Sequence, residues 1–187
     1  MVDLGALLVD SGAVLKGHFL LTSGRHSDTY FEKFRVLERP DVLSALCQQI
    51  ASHYRNSGVE LVAGPTTGGI IIAFEVARLL GVKSIYVESE NGVKTLRRGA
   101  AVAAGAKTLV VDDVLTTGLS VRETIEVIRN AGGDVIGTGV LIDRAPEPLH
   151  FGCPHYSAYK VEAESFAPDE VPAWLAQIPV TKPGTRK

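Results

Sequence analysis

The stretch Leu109-Val110-Val111-Asp112-Asp113-Val114-Leu115-Thr116-Thr117-Gly118-Leu119-Ser120 decides how the rest of the chain is read. Its apolar opening, rich in β-branched residues, makes a strand fit for burial on both faces. Two adjacent acids follow, then hydroxyl residues and a glycine that open a helix carrying Val121, Ile125 and Ile128 on one face. In an open parallel sheet, ligands sit beyond the carboxyl ends of the strands, where Asp112 and Asp113 fall. Free N–H groups at the helix start, with the hydroxyls of Thr116, Thr117 and Ser120, form an anion cradle suited to a phosphate monoester. Carboxylates repel phosphate, so the acids address ribose hydroxyls or a hydrated Mg²⁺ instead. The competing reading makes Asp112 a strand cap and Thr117 a helix cap. Two adjacent acids at the end of a buried strand are costly without partners, which favours the functional reading. The GxxxxGK[ST] lysine is absent, so this is not a Walker A loop.

Working outward, strand and helix patterns alternate. Leu4–Leu15 reads as an opening helix with a break at Gly12, and His18–Leu21 and Thr29–Phe34 as extended segments joined by a turn at Ser23-Gly24-Arg25. Pro40 suits a first helical turn, and Val42, Leu43, Leu46 and Ile50 give that helix an apolar face to near Tyr54. Glu60–Ala63 is a strand ending in Gly64-Pro65-Thr66-Thr67-Gly68-Gly69, with a helix after it to Leu80 closed by Gly81. Ser84–Val87, Lys107–Val111 and Val135–Ile142 complete the strands, and Gly132-Gly133 ends the intervening helix. This alternation implies an α/β domain with a parallel sheet covered on both faces. Glu88–Gly105 reads as an exposed loop with a short strand pair, and the tail from Pro179 as frayed or draped on a surface.

Composition sets the outer bounds. The 187 residues fit one domain, and 19 Lys and Arg against 21 Asp and Glu leave a net charge of −2, without the basic excess of a nucleic-acid protein. The 19 glycines and 6% aromatics point to tight turns around small ligands. Cys47 and Cys153 are far apart, against a disulfide scaffold or a structural zinc site. The N-terminus has no signal-like segment and the longest apolar stretch, Ile70–Phe74, stops at Glu75, so the expectation is a soluble, cytoplasmic protein with no membrane partner.

The VVDDVLTTG segment resembles the phosphoribosyl pyrophosphate (PRPP) motif of the type I phosphoribosyltransferases. The resemblance implies that Asp112 and Asp113 hold the ribose, and that Val114, Leu115, Thr116, Thr117, Gly118, Leu119 and Ser120 form the loop that holds the 5′-phosphate. Gly64–Gly69 is similar to the family's pyrophosphate loop, with Thr67 and Gly68 on PRPP. The segment from Gly17 to Phe31, with its Phe-x-Leu-x-Ser-Gly pattern, is similar to the N-terminal hood of orotate phosphoribosyltransferases. There Tyr30 and Phe31 would pack against the pyrimidine; the alternative makes them sheet residues filling a core. Arg144, in Leu141-Ile142-Asp143-Arg144, matches the strand-end arginine that recognises orotate, against an alternative surface ion pair with Asp143 or Glu147. Its planar fork suits a carboxylate or imide edge. Thr116 would also touch the acceptor.

The loop 88–99 would close over PRPP with Lys94 as a catalytic cation beside Arg97 and Arg98. It departs from the better-known members, whose cations sit elsewhere in the loop and which carry lysines where this chain has Thr22 and Gly68. A shorter bacterial branch shares an NGVxTLRRG-like loop and a KPGSR-like ending, here Lys182-Pro183-Gly184-Thr185-Arg186. The resemblance implies one phosphoribosyltransferase domain over 1–187, with a hood from about 1–36 plus part of the C-terminal region and a core over about 40–145. It further implies transfer of phosphoribosyl from PRPP to orotate in UMP biosynthesis, Mg²⁺ held mainly by substrate and water with no direct protein ligand, and a homodimer sharing its loop between subunits. A transferase for a purine or other base, or a PRPP-sensing transcription regulator, is the alternative; the hood, Arg144 and the charge balance argue against both.

Overall fold

Three neighbouring strands, Leu61–Pro65, Lys107–Leu115 and Asp134–Asp143, run almost wholly buried between two layers of helix. A computed structural model describes residues 3–21, 23–90, 92–161 and 164–183. In chain order the elements are α1 (Leu4–Asp10), β1 (Val14–Leu20), β2 (His26–Phe31), α2 (Lys33–Leu37), α3 (Pro40–Tyr54), β3 (Leu61–Pro65), α4 (Gly68–Leu80), β4 (Lys83–Glu90) and β5 (Val93–Thr95). They continue with β6 (Lys107–Leu115), α5 (Leu119–Asn130), β7 (Asp134–Asp143), β8 (His155–Lys160), β9 (Ser165–Phe166), α6 (Ala173–Ala176) and β10 (Val180–Thr181).

The larger sheet has the order β5-β4-β3-β6-β7-β8, parallel except for the β4–β5 hairpin. Strand alternation sorts its core into two layers. Val62, Leu109, Val111 and Leu141 pack against α3 and α4 through Val42, Leu46, Ile50, Ile72 and Val76. Ala63, Val110 and Val140 face the other way, onto Val121, Ile125 and Ile128 of α5. The doubly covered parallel sheet read from the sequence is the one observed.

A second, four-stranded sheet has the order β10-β1-β2-β9 and joins the two ends of the chain. Its ties are side-chain as well as backbone. Ser27 Oγ donates to Glu164 O (2.7 Å), Arg25 Nε donates to Ser165 Oγ (3.0 Å), and His18 sits between His26 (2.6 Å) and Ile178 O (3.1 Å).

Several elements differ from the sequence expectation. The first helix stops at Asp10, because Gly12 turns left-handed (φ 72°) and Val14 and Leu15 pair with β2 instead. The segment after Thr29 is extended only to Phe31; Glu32 then accepts a hydrogen bond from Phe34 N (3.2 Å) and caps α2. Strand β6 runs on to Leu115, so both acids lie inside the ladder, held there by pairs such as Asp112↔Val140 and Val114↔Ile142. Strand β8 was unanticipated: His155–Lys160 is half-buried, with none of the apolar run that marks the central strands. The loop after Glu88 contains the short strand pair expected of it. The tail is laid along β1 through His18↔Val180, while Gly184, Thr185, Arg186 and also Thr22 lie outside the described residues. No helix among the described residues is long and apolar enough to cross a membrane.

Candidate active site

Asp112 and Asp113 are both buried at the carboxyl end of β6, and as neighbours in a strand they face opposite ways. Asp112 lines the α5 side; its Oδ1 accepts from Asp113 N (2.8 Å). Burial, and then the charge of Asp113, push the Asp112 carboxyl up to about 6; the Asp113 amide, the Ser120 hydroxyl and Lys33 pull the other way. Asp113 faces α2 and α4. Its Oδ1 accepts from Val114 N (2.7 Å) and its Oδ2 from Lys33 Nζ (2.9 Å).

The loop after β6 is shaped as a cradle at the head of α5. Val114 through Ser120 line a cavity of about 270 Å³ together with Asp112, Lys94 and Glu123. Gly118 at the N-cap has φ 76°, and a Cβ there would lie 3.0 Å from Leu149 Cδ1 and 3.1 Å from Phe151 Cε1. Glycine fits that conformation at no cost, whereas an L side chain would be strained. Gly118 has no side chain to cap α5 and, among the described residues, only Leu119 N has a side-chain acceptor, Thr117 Oγ1 at 3.4 Å, so the opening amides lack the intrahelical acceptors that later turns have. They form, with the Thr116 and Thr117 hydroxyls, a site for a dianion aligned with the helix dipole.

Across β6, the β3–α4 loop supplies the second cavity, about 410 Å³, lined by Lys33, Phe34, Leu37, Glu38, Thr67, Gly68 and Ile71. Thr67 is exposed, and the Thr66–Thr67 peptide is cis. Gly68 lies hard against the acid pair: a Cβ there would be 2.2 Å from Asp113 Oδ2.

The third cavity, about 290 Å³, opens between the ends of β7 and β8 and the small sheet, and is lined by Arg144, Leu21, Ser27, Lys160 and Ser165 among others. Arg144 is half-buried, its backbone N–H bonded to Leu115 O (2.8 Å). Burial lowers the affinity of its guanidinium for its proton, and the Tyr30 phenol opposes this. Among the described residues no carboxylate pairs with Arg144. Asp143, one of the two acids considered as partners, instead accepts from Ala145 N (2.9 Å). The Tyr30 phenol is raised by burial first and by Glu32 second.

One expectation needs correction. Tyr30 and Phe31 cannot both wall one ring, because alternation along β2 sends them to opposite faces; Phe31 is 5% exposed and packs in the main core with Leu8, Ala13 and Val36. Arg97 and Arg98 are not brought to the acids of their own chain. Arg98 Nε binds Glu88 Oε1 (3.0 Å) and Arg97 Nη1 binds Glu90 Oε1 (3.2 Å), so the strand acids of β4 hold them on the hairpin. Lys94, from the same hairpin, does reach the cradle. Sequence reasoning missed Lys33, which sits in a segment read as strand, and Lys160, which belongs to the unanticipated β8. The short Glu32-capped helix was the signal that could have separated Lys33 from the strand before it.

An acid pair on a central parallel strand, an amide cradle directly after it and a glycine loop on the next strand together define a phosphoribosyltransferase site. The phosphoribosyl transferase domain family matches residues 38–151. The chain is 46% identical over 185 residues to the orotate phosphoribosyltransferase of Pelotomaculum thermopropionicum, covering 99% of this chain and 97% of that one. It is 46% identical to that of Chlorobium phaeobacteroides, covering 94% and 91%. A crystal structure of orotate phosphoribosyltransferase from Aeropyrum pernix superposes with a TM-score of 0.69 at 30% identity, covering 85% of this chain and 94% of that one. The chain belongs to the orotate phosphoribosyltransferase family.

Proposed function

We infer that the chain transfers a 5-phosphoribosyl group from PRPP to N1 of orotate, giving orotidine 5′-monophosphate and pyrophosphate, a step of UMP biosynthesis. The observation that carries this is the Asp112–Asp113 pair set between the α5 amide cradle and the Thr67–Gly68 loop, with Arg144 at the end of the next strand. The bond from ribose C1 to the pyrophosphate oxygen breaks and the bond to N1 forms as N1 gives up its proton to solvent, through a sugar with positive charge at C1. Catalysis is therefore positioning plus electrostatics. Residues 116–120 hold the 5′-phosphate, Asp112 and Asp113 the ribose hydroxyls, and Arg144 with Tyr30 the acid-bearing ring. Lys94 stands at the cradle as the loop cation.

Among the described residues no group of three His, Cys, Asp or Glu could hold a metal ion. Two carboxylates, one of them already bonded to Lys33, fit a Mg²⁺ that is held chiefly by substrate oxygens and water. When bound, such an ion neutralises charge on the leaving pyrophosphate.

The active form we propose is a homodimer. Phe74 on α4, 62% exposed and next to the Arg78–Glu75 pair, offers an apolar centre for such a contact. Charges of both signs around an apolar centre suit a self-complementary, two-fold contact. Arg97 and Arg98, exposed on the hairpin, are then available to a partner's site. The free Cys47 and Cys153 suit a reducing cytoplasm.

Purified protein with Mg²⁺, PRPP and a panel of acceptors tests the activity. Orotate is consumed with release of pyrophosphate; consumption of adenine, hypoxanthine or uracil with orotate untouched would overturn the reading.

A further inference from the structure

We propose that Lys33 is the cation of the pyrophosphate side of this site, resting on Asp113 in the structure and passing to the diphosphate of PRPP when the ribose hydroxyls take the carboxylate. The proposal rests on the reading of the site as a PRPP site. The lysine is the first residue of α2, and from there its Nζ reaches Asp113 Oδ2 at 2.9 Å across a separation of 80 residues. It shares a cavity with Thr67 and Gly68, and among the described residues it is the one cation lining that cavity. Glu38, the acid on the same wall, is bonded to Arg35 (2.9 Å) and leaves the lysine uncontested.

Two features argue that the ion pair is a resting contact and not a fixed strut. The Lys33 side chain is 43% exposed against 11% for Asp113, so the ammonium stands at the cavity mouth with the carboxylate beneath it. Its long, flexible stem and rotatable donors allow a short move between neighbouring acceptors. A buried structural pair would instead enclose both groups.

Gly68 explains why the cation comes from another element. Glycine supplies no side chain at this loop position, and the space a Cβ would take is filled by the Asp113 carboxylate. The loop thus offers a diphosphate its backbone but no charge of its own there, while the Asp113 carboxylate lies against it. A diphosphate beside a carboxylate is repelled unless a cation intervenes, and Lys33 lies on the wall it shares with Thr67 and Gly68.

Titration of the unsubstituted protein and of Lys33→Ala, Lys33→Gln and Lys33→Arg with pyrophosphate in excess Mg²⁺, followed by KM values for PRPP and orotate, tests the assignment. The neutral variants weaken pyrophosphate binding and raise the KM for PRPP by about 10- to 100-fold, the range of a lost hydrogen bond to a charged group. The KM for orotate stays within about threefold, and Lys33→Arg, which keeps the charge, recovers most of the loss. Unchanged pyrophosphate affinity in the neutral variants overturns the proposal, as does an equal loss for PRPP and orotate, or failure of Lys33→Arg to recover anything. The pyrophosphate titration needs no acceptor, so a protein that rejects orotate would contradict the proposed activity and still report on Lys33.

Discussion

The two ends of the site are built in different ways. The proposed phosphoribosyl end stands on the buried strands β3 and β6 and the head of α5, and its candidate ligating groups come from the end of β6 and the short segments 66–69 and 116–120. The proposed acceptor end stands between Arg144 and a small sheet assembled from residues 14–20, 26–31, 165–166 and 180–181, tied by a few side chains such as Ser27 and His18. One end is therefore fixed by the core, and the other by contacts between distant parts of the chain. Rigid positioning suits the phosphates, which anchor the reaction, while a lightly tied cover suits entry and release of a planar acceptor.

If that division is right, substitutions at the two ends separate kinetically. The largest effect is expected for Asp112→Asn with Asp113→Asn: turnover falls by roughly a thousandfold or more, as for other groups that stabilise charge in the transition state, while circular dichroism shows the fold retained. Next, Arg144→Ala raises the KM for orotate by about 30- to 100-fold, the cost of a charged hydrogen-bonding partner, and leaves the KM for PRPP unchanged; equal loss of both would erase the distinction between the two ends. Gly118→Ala introduces a Cβ at φ 76°, close to Leu149 and Phe151. It costs about 1–2 kcal/mol of stability, read as a lower Tm, and raises the KM for PRPP without affecting that for orotate.

The smallest effect concerns pH. Asp112 is raised from 3.8 to about 6, so kcat/KM for PRPP falls as pH drops through about 6 and its carboxylate is lost. The linkage has the opposite sign for stability. A carboxyl whose folded value is raised favours the folded state below its unfolded value, and that advantage is lost as pH rises through about 6. Asp112→Asn therefore stabilises the protein at pH 8, by at most about 3 kcal/mol, and the gain shrinks toward pH 4; thermal unfolding at the two pH values checks it.

The same division governs what the sequence reveals. The β6–α5 segment writes its strand, acids, cradle and helix in consecutive residues, so its chemistry is local and legible. The helices α3, α4 and α5 are legible for the same reason, through their apolar periodicity. The acceptor end is not, because β1 pairs with β10 and β2 with β9 across more than a hundred residues, and a two-residue strand such as Ser165–Phe166 carries no pattern of its own. Phe31 takes the core alternative, which the sequence leaves open because adjacent aromatics look alike in a sequence and diverge in a strand. Lys33 was hidden by a helix of five residues, too short for periodicity to show. The ion pairs that keep Arg97 and Arg98 on the hairpin depend on the β4–β5 register, which brings Glu88 opposite Thr95 and Glu90 opposite Val93.

A crystal structure with orotidine 5′-monophosphate bound tests the central claim most directly. The account predicts the 5′-phosphate on the amides and hydroxyls of residues 116–120, the ribose hydroxyls on Asp112 and Asp113, and the pyrimidine carboxylate on Arg144. A nucleotide bound with its phosphate away from the head of α5, or with its ring remote from Arg144, would contradict it.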